Sequence, residues 1–192
     1  MHIEQARQFI LDKLNTQLPA KFYYHNASHA WDVYTAAKQI ALGEGIGEYE
    51  TCLLLTASLF HDSGLLLGED EHEKKSCAVA REFLPGFDYT DDEIDRICDI
   101  IMATKVPQTP NEKLGEIICD ADLDYLGRND FFILSKRLFS ELEITHGLQT
   151  ETAWDKQQVG FLKSHHYFTQ TAIASRAAEK EKHLQIIIDR LK

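Results

Sequence analysis

The apolar run Thr51–Phe60 ends on His61-Asp62-Ser63-Gly64, and that junction constrains the fold more than any other stretch. The run is apolar on most faces, which predicts a helix buried in the middle of the protein. A carboxylate is almost never fully buried unless it is paired or bound to a metal. An imidazole beside a carboxylate at the end of a core helix therefore requires partners from elsewhere in the chain. If the helix ran on through both residues, their side chains would diverge by roughly 100° around its axis. Two groups splayed in that way can grip one ion, provided other segments complete the shell.

The rest of the chain reads as helices. Ile3, Ala6, Ile10 and Leu14 recur at helical spacing before Pro19. Asn26 is placed to cap a helix running to about Gly43, with His29 in its first turn and His25 just before it. The central helix is expected over Glu48–Leu66, and another over His72–Leu84 that stops at Pro85-Gly86. Thr90 with Glu93, and Thr109 with Glu112, match the capping-box spacing. The first predicts a helix to about Thr104. The second predicts one carrying Leu114, Ile117, Ile118 and Ala121 into Asp120-Ala121-Asp122. Helices are further expected over Asn129–Glu143, Glu151–Phe168 and Thr169–Lys192. Credible strand alternation and internal repeats are both lacking. The expected fold is all-α, in one domain spanning 1–192, with roughly 129–192 a helical extension packed on the core.

Charge narrows the functional classes. The net charge is -11, which disfavours nonspecific binding to nucleic acid or an anionic membrane. Cys52, Cys77, Cys98 and Cys119 form no CxxC pair, so they read as reduced core thiols in a cytoplasmic protein. The first residues lack the apolar core of a signal peptide, and no run reaches membrane-spanning length.

A divalent ion needs several N and O donors and an open position for water. The candidates are His29, the pair His61 and Asp62, and one of Asp120, Asp122 and Asp124, each group from a different predicted helix. Taken singly, a histidine such as His29 is more often a satisfied or solvated residue than a ligand. The ordered set is more specific. Tyr24-His25-Asn26-Ala27-Ser28-His29, Leu59-Phe60-His61-Asp62-Ser63-Gly64, His72-Glu73-x-x-Ser76 and Asp120-Ala121-Asp122-Leu123-Asp124-Tyr125-Leu126-Gly127 together resemble the HD superfamily of metal-dependent phosphohydrolases. Within it, the chain is most similar to small predicted phosphohydrolases with a Tyr-His-Asn-x-x-His segment. The resemblance covers the first two thirds of the chain and is looser beyond.

That resemblance implies an HD-domain helical bundle with additional C-terminal helices, and metal ligands His29, His61, Asp62 and Asp122. Asp122 is preferred because Ala121-Asp122 matches the family's Ala-Asp pair; Asp120 is left as a cap or outer acceptor. Family members with two metals carry two further histidines. His72 stands where one would fall, but Thr104 occupies the region of the second, which favours a single divalent ion (Mn, Fe, Zn, Mg or Co). The implied activity is hydrolysis of a nucleotide or other small phosphate ester by a metal-activated water. Asp62, Glu73 and His72 are the catalytic candidates, and His25, Lys105 and Arg128 the substrate-binding ones. One of His165 and His166 is a weaker candidate for reaching the pocket. The other reading is an HD-fold module that binds a nucleotide or second messenger without chemistry; the complete ligand set argues against it.

Overall fold

A computed structural model describes residues 1–147 and 150–192. Among these residues it holds nine α-helices, three short 3₁₀ turns and no strand. The helices are α1 (Ile3–Gln17), α2 (Ala27–Gly43), α3 (Glu48–Phe60), α4 (His72–Phe83), α5 (Asp91–Ala103), α6 (Lys113–Asp122), α7 (Phe131–Thr145), α8 (Glu151–Ser164) and α9 (Gln170–Arg190).

The centre is α3, buried without a break from Leu53 to Phe60. It packs on α1, α2, α5 and α6, so this stretch keeps no exposed face, and its Thr56 and Ser58 hydroxyls are hydrogen-bonded inside. Its neighbours are amphipathic and turn one stripe inward: Ala6, Ile10 and Leu14 on α1, and Ile94, Ile97 and Ile101 on α5. A second apolar cluster forms where α7, α8 and α9 meet the turn after α6. It contains Tyr24, Tyr125, Leu126, Phe131, Leu162, Leu184 and Ile187.

Local capping chemistry sets several helix starts. The Asn26 side chain accepts from the Ser28 N–H at 2.9 Å. Thr90 and Glu93 form the reciprocal capping box. The Thr109 box does not form: α6 starts at Lys113, with Glu112 at the cap position and no side-chain cap. Pro107 and Pro110 keep the preceding segment out of the helix. The central helix is also shorter than its apolar pattern suggests. It stops at Phe60, and Ser63–Leu66 forms a separate 3₁₀ turn. Gly64 accounts for the stop. A Cβ there would lie 2.0 Å from the His72 carbonyl oxygen, and the Gly64 N–H donates to Ser76 Oγ at 2.8 Å. The turn is thereby pressed against the start of α4. Pro85 likewise falls inside a 3₁₀ turn, Leu84–Phe87, which continues α4 in tighter form.

The helix expected to reach Phe168 ends at Ser164. The reason lies far away in sequence. Both Asp120 carboxylate oxygens accept from the next segment: Oδ1 from the Phe168 N–H, and Oδ2 from the Thr169 N–H and hydroxyl, at 2.7–2.8 Å. Asp120 thus holds the start of α9 against α6.

Candidate metal centre and adjoining cavity

Three segments bring their polar side chains to one point. His29 comes from the first turn of α2, His61 and Asp62 from the end of α3, and Asp122 from the last residue of α6. His61 and Asp62 do not splay apart. The helix has ended by Asp62, whose backbone leaves helical geometry (φ -104°, ψ 5°), and His61 Nε2 lies 3.2 Å from Asp62 Oδ2.

His29 Nε2 is 3.3 Å from His61 Nε2, 3.2 Å from Asp122 Oδ1 and 3.5 Å from Asp62 Oδ2. His61 Nε2 is 3.5 Å from Asp122 Oδ1. One donor atom each from His29, His61 and Asp122 lies within 4.8 Å of the others. Donors held about 2.1 Å from one ion sit roughly 3.0–3.4 Å apart as neighbours, so these separations match a shared cation.

Two further observations make the same demand. His61 Nδ1–H donates to the Ser58 carbonyl at 2.8 Å, which leaves the lone pair of a neutral ring on Nε2, facing His29 Nε2. Asp62 Oδ2 is buried and has no hydrogen-bond partner, a costly state for a carboxylate oxygen. Lone pairs and anionic oxygen facing each other in a buried site require positive charge between them, from a protonated imidazole or a bound cation. Burial works against a charged His61, yet Asp62 and Asp122 outweigh it and raise its pKa well above 6.5. Burial likewise opposes ionised Asp62 and Asp122, and the imidazoles reverse it, holding both carboxyls well below the usual carboxylate range. The residues present fit a divalent metal ion.

A cavity of about 640 Å³ opens from this cluster. Asp62, His72, Glu73, Asp122, His25 and Thr104 line its polar end. Its far end is walled by Leu126, Phe131, Leu138, Leu142, Phe161 and Leu162. Gly127 lets the far wall close, since a Cβ there would lie 2.4 Å from the Arg176 carbonyl oxygen of α9.

The HD-domain family model matches residues 26–124, just over half of the chain. The chain belongs to the HD-domain family. A protein of Clostridium beijerinckii (strain ATCC 51743 / NCIMB 8052), described as an uncharacterized protein, is 30% identical over 94 residues. That stretch is 47% of this chain and 59% of the relative, so the chain spans less than two thirds of the relative's length. No solved structure matches. Membership of the HD family carries divalent metal binding and a link to phosphohydrolase chemistry, although family members can be non-catalytic.

His29, His61, Asp62 and Asp122 all lie within the HD segment, and other residues named from the sequence fall around them. His72 Nε2 is 3.5 Å from Asp62 Oδ1 and 3.6 Å from Glu73 Oε1. Its hydrogen bond to Asp62 raises its pKa. Glu73 is buried, in the first turn of α4, where the helix dipole favours its negative charge. Thr104 lines the cavity, but its hydroxyl donates to the Ile101 carbonyl at 2.8 Å.

The structure leaves two of the proposed substrate contacts outside this cavity. Arg128 is engaged by Asp130 at 2.9 Å and Asp32 at 3.0 Å, and it lines a different cavity with Trp31 and Arg137. Lys105 is exposed and is not part of the lining. His165 and His166 line a small neighbouring pocket of about 160 Å³ instead. Asp124 pairs with Arg176 at 2.7 Å, so each of the three clustered aspartates has a different partner.

Sequence reasoning missed Glu141 of α7. Its carboxylate accepts from the Tyr24 and His25 N–H groups at 2.9 and 3.0 Å and pairs with His25 Nδ1. The His25 ring is thereby fixed at the edge of the cavity. Tyr24, also missed, packs its ring 4.6 Å from the His29 ring. Nothing near Glu141 in sequence names His25 as its partner. Among the described residues, no helix is long and apolar enough to cross a membrane.

Proposed function

We propose that this protein is a metal-dependent phosphohydrolase acting on a small phosphate ester, with one divalent ion held by His29, His61, Asp62 and Asp122. The observation that supports this most is the meeting of His29 Nε2, His61 Nε2 and Asp122 Oδ1 at 3.2–3.5 Å, with Asp62 Oδ2 3.2 and 3.5 Å from the two imidazoles, at the polar end of a cavity large enough for a substrate. A divalent ion so held supplies Lewis acidity, neutralising phosphoryl charge and acidifying a bound water. The mixed N and O donor set suits Mn, Fe, Zn, Mg or Co.

The chain's own groups have separable tasks in this reading. His61 is held in one tautomer by the Ser58 carbonyl, which orients its Nε2. His72 Nε2, between Asp62 and Glu73, is the proton donor to the leaving oxygen, and Glu73 exchanges that proton with solvent. His25, fixed by Glu141, contacts the ester. Lys105 and Arg128 take no part. Helices α7–α9 serve as an extension of the HD segment that encloses the substrate and keeps bulk water from the reacting phosphorus.

The test is phosphate release from a panel of monoesters, diesters and nucleotides, with and without added Mn²⁺, Mg²⁺, Zn²⁺ or Co²⁺. Metal-stimulated release that disappears in His61→Ala supports the proposal. Metal and ligand binding with no turnover across the panel would replace it with a binding module.

A further inference from the structure

We infer that the substrate is a phosphate monoester whose alcohol part is a bulky apolar group, seated against α7 and α8, and not a polyphosphate nucleotide. This rests on the function proposed above and adds the substrate class.

The first observation is the composition of the cavity. Among the described residues lining it, none is a lysine or arginine. A triphosphate brings about four negative charges and is ordinarily met by several cations or by a nest of backbone N–H groups. Positive charge in this lining comes from an ion between His29, His61, Asp62 and Asp122 and from the imidazoles of His25 and His72, each already paired with a carboxylate. Glu73 in the same lining would repel any further phosphate. Arg128, the nearest candidate cation by sequence, is bound by carboxylates and faces another cavity. A lining without lysine or arginine suits one phosphoryl group better than three.

The second observation is the state of the polar groups in the far wall. The Ser135 hydroxyl donates to Gln158 Oε1 at 2.5 Å and accepts from Trp154 Nε1–H at 3.1 Å. Gln158 Nε2 donates to Asp155 at 3.2 Å. The indole N–H and the buried amide are thus engaged with each other through Ser135. A nucleobase would need such donors and acceptors turned towards it. His146 and Gln157 also line the cavity but are exposed, and most of the wall is Leu126, Phe131, Leu138, Leu142, Phe161 and Leu162, a surface that binds by excluding water.

Polar and apolar ends of one cavity fix the orientation. The phosphoryl group lies at the cluster, beside His72 and Glu73, and the alcohol part extends towards α8. Hydrolysis forms a bond from the water oxygen to phosphorus and breaks the ester P–O bond. The water loses a proton and the departing alkoxide gains one, giving inorganic phosphate and an apolar alcohol.

The experiment is a binding titration with mono-n-alkyl phosphates from ethyl to octyl, and with ATP, on Mn²⁺-loaded protein. Trp31→Phe leaves Trp154, which lines the cavity, as the remaining tryptophan, and its fluorescence reports occupancy. The expected result is a Kd that tightens about fourfold per added methylene until the cavity is full, with ATP weaker than octyl phosphate. Leu142→Glu loosens octyl phosphate at least tenfold and leaves inorganic phosphate within about twofold. Leu138→Glu is the second variant, should the first fail to fold. An affinity flat along the series, or ATP tighter than octyl phosphate, overturns the inference. Phosphate release measured in parallel separates the two claims. A chain-length slope without cleavage keeps the apolar preference and removes the hydrolase reading. Cleavage of ethyl phosphate and ATP with no slope does the reverse.

Discussion

The two ends of the cavity are built by different parts of the chain and by different rules. The polar end comes from α2, α3, α4 and α6, where the functional side chains stand at helix ends: His29 in a first turn, His61 and Asp62 just past a last turn, Asp122 at a C-terminus. The far wall comes mainly from α7 and α8, where Leu138, Leu142 and Phe161 stand on ordinary amphipathic faces. Polar groups at helix ends can converge because the backbone there is free to turn. Apolar residues along a helix face make a surface and carry no directional chemistry. Between the two regions runs a seam of individually identifiable contacts: Asp120 on Phe168 and Thr169, Gly127 against Arg176, and Glu44 on Thr171. The contrast predicts that changes at the polar end remove chemistry and spare the fold, whereas changes along the seam remove stability and spare the metal.

The largest expected effect is at the polar end. Asp62→Ala should reduce phosphate release on the order of a thousandfold or more while circular dichroism stays helical, because Leu53, Leu54, Leu59 and Phe60 are fully buried without help from the site. Full turnover in that variant would show that the His61-Asp62 pair is not the reaction centre.

Along the seam, Asp120→Ala removes three hydrogen bonds to the start of α9 and leaves two buried N–H groups to find new partners. A loss of about 3 kcal/mol in denaturant unfolding is expected, with metal content unchanged. Gly127→Ala follows, at roughly 1–3 kcal/mol, since the new methyl meets the backbone of Arg176. Neutral behaviour in either variant would mean that α9 is not held where it is described.

The smallest effect is pH-dependent. Hydrogen bonds from Lys113 and Thr171 hold the Glu44 carboxyl down, from 4.5 to about 2. A carboxyl depressed by folding contributes its stabilisation above its unfolded pKa and loses it as pH falls through the folded one. Wild type should therefore melt above Glu44→Gln at pH 7, and the gap should close between about pH 5 and pH 2. A gap that stays constant across that window would remove Glu44 from the seam.

The sequence discloses these two regions unequally. The Asn26 cap and the Thr90 box are local signals and appear where they were read, and periodicity placed the helices while missing the ends of α3 and α8. The family pattern also singled out Asp122 over Asp120, and the geometry places Asp122, not Asp120, beside the imidazoles. What escaped depends on packing. His61 and Asp62 meet because Gly64 ends the helix against α4, which periodicity does not encode. Glu141 lies 116 residues from His25, so nothing near either residue announces the pair. Arg128 carried an available charge in the sequence, and only the fold reveals the carboxylates of Asp32 and Asp130 around it.

The central claim is that Asp122, and not its neighbour Asp120, completes a site for one ion with His29, His61 and Asp62. Elemental analysis of purified wild type, Asp122→Ala and Asp120→Ala, after loading with Mn²⁺ and extensive dialysis, tests it most directly. The account predicts about one ion per chain in wild type and in Asp120→Ala, and close to none in Asp122→Ala. Equal retention in all three, or loss confined to Asp120→Ala, would contradict it.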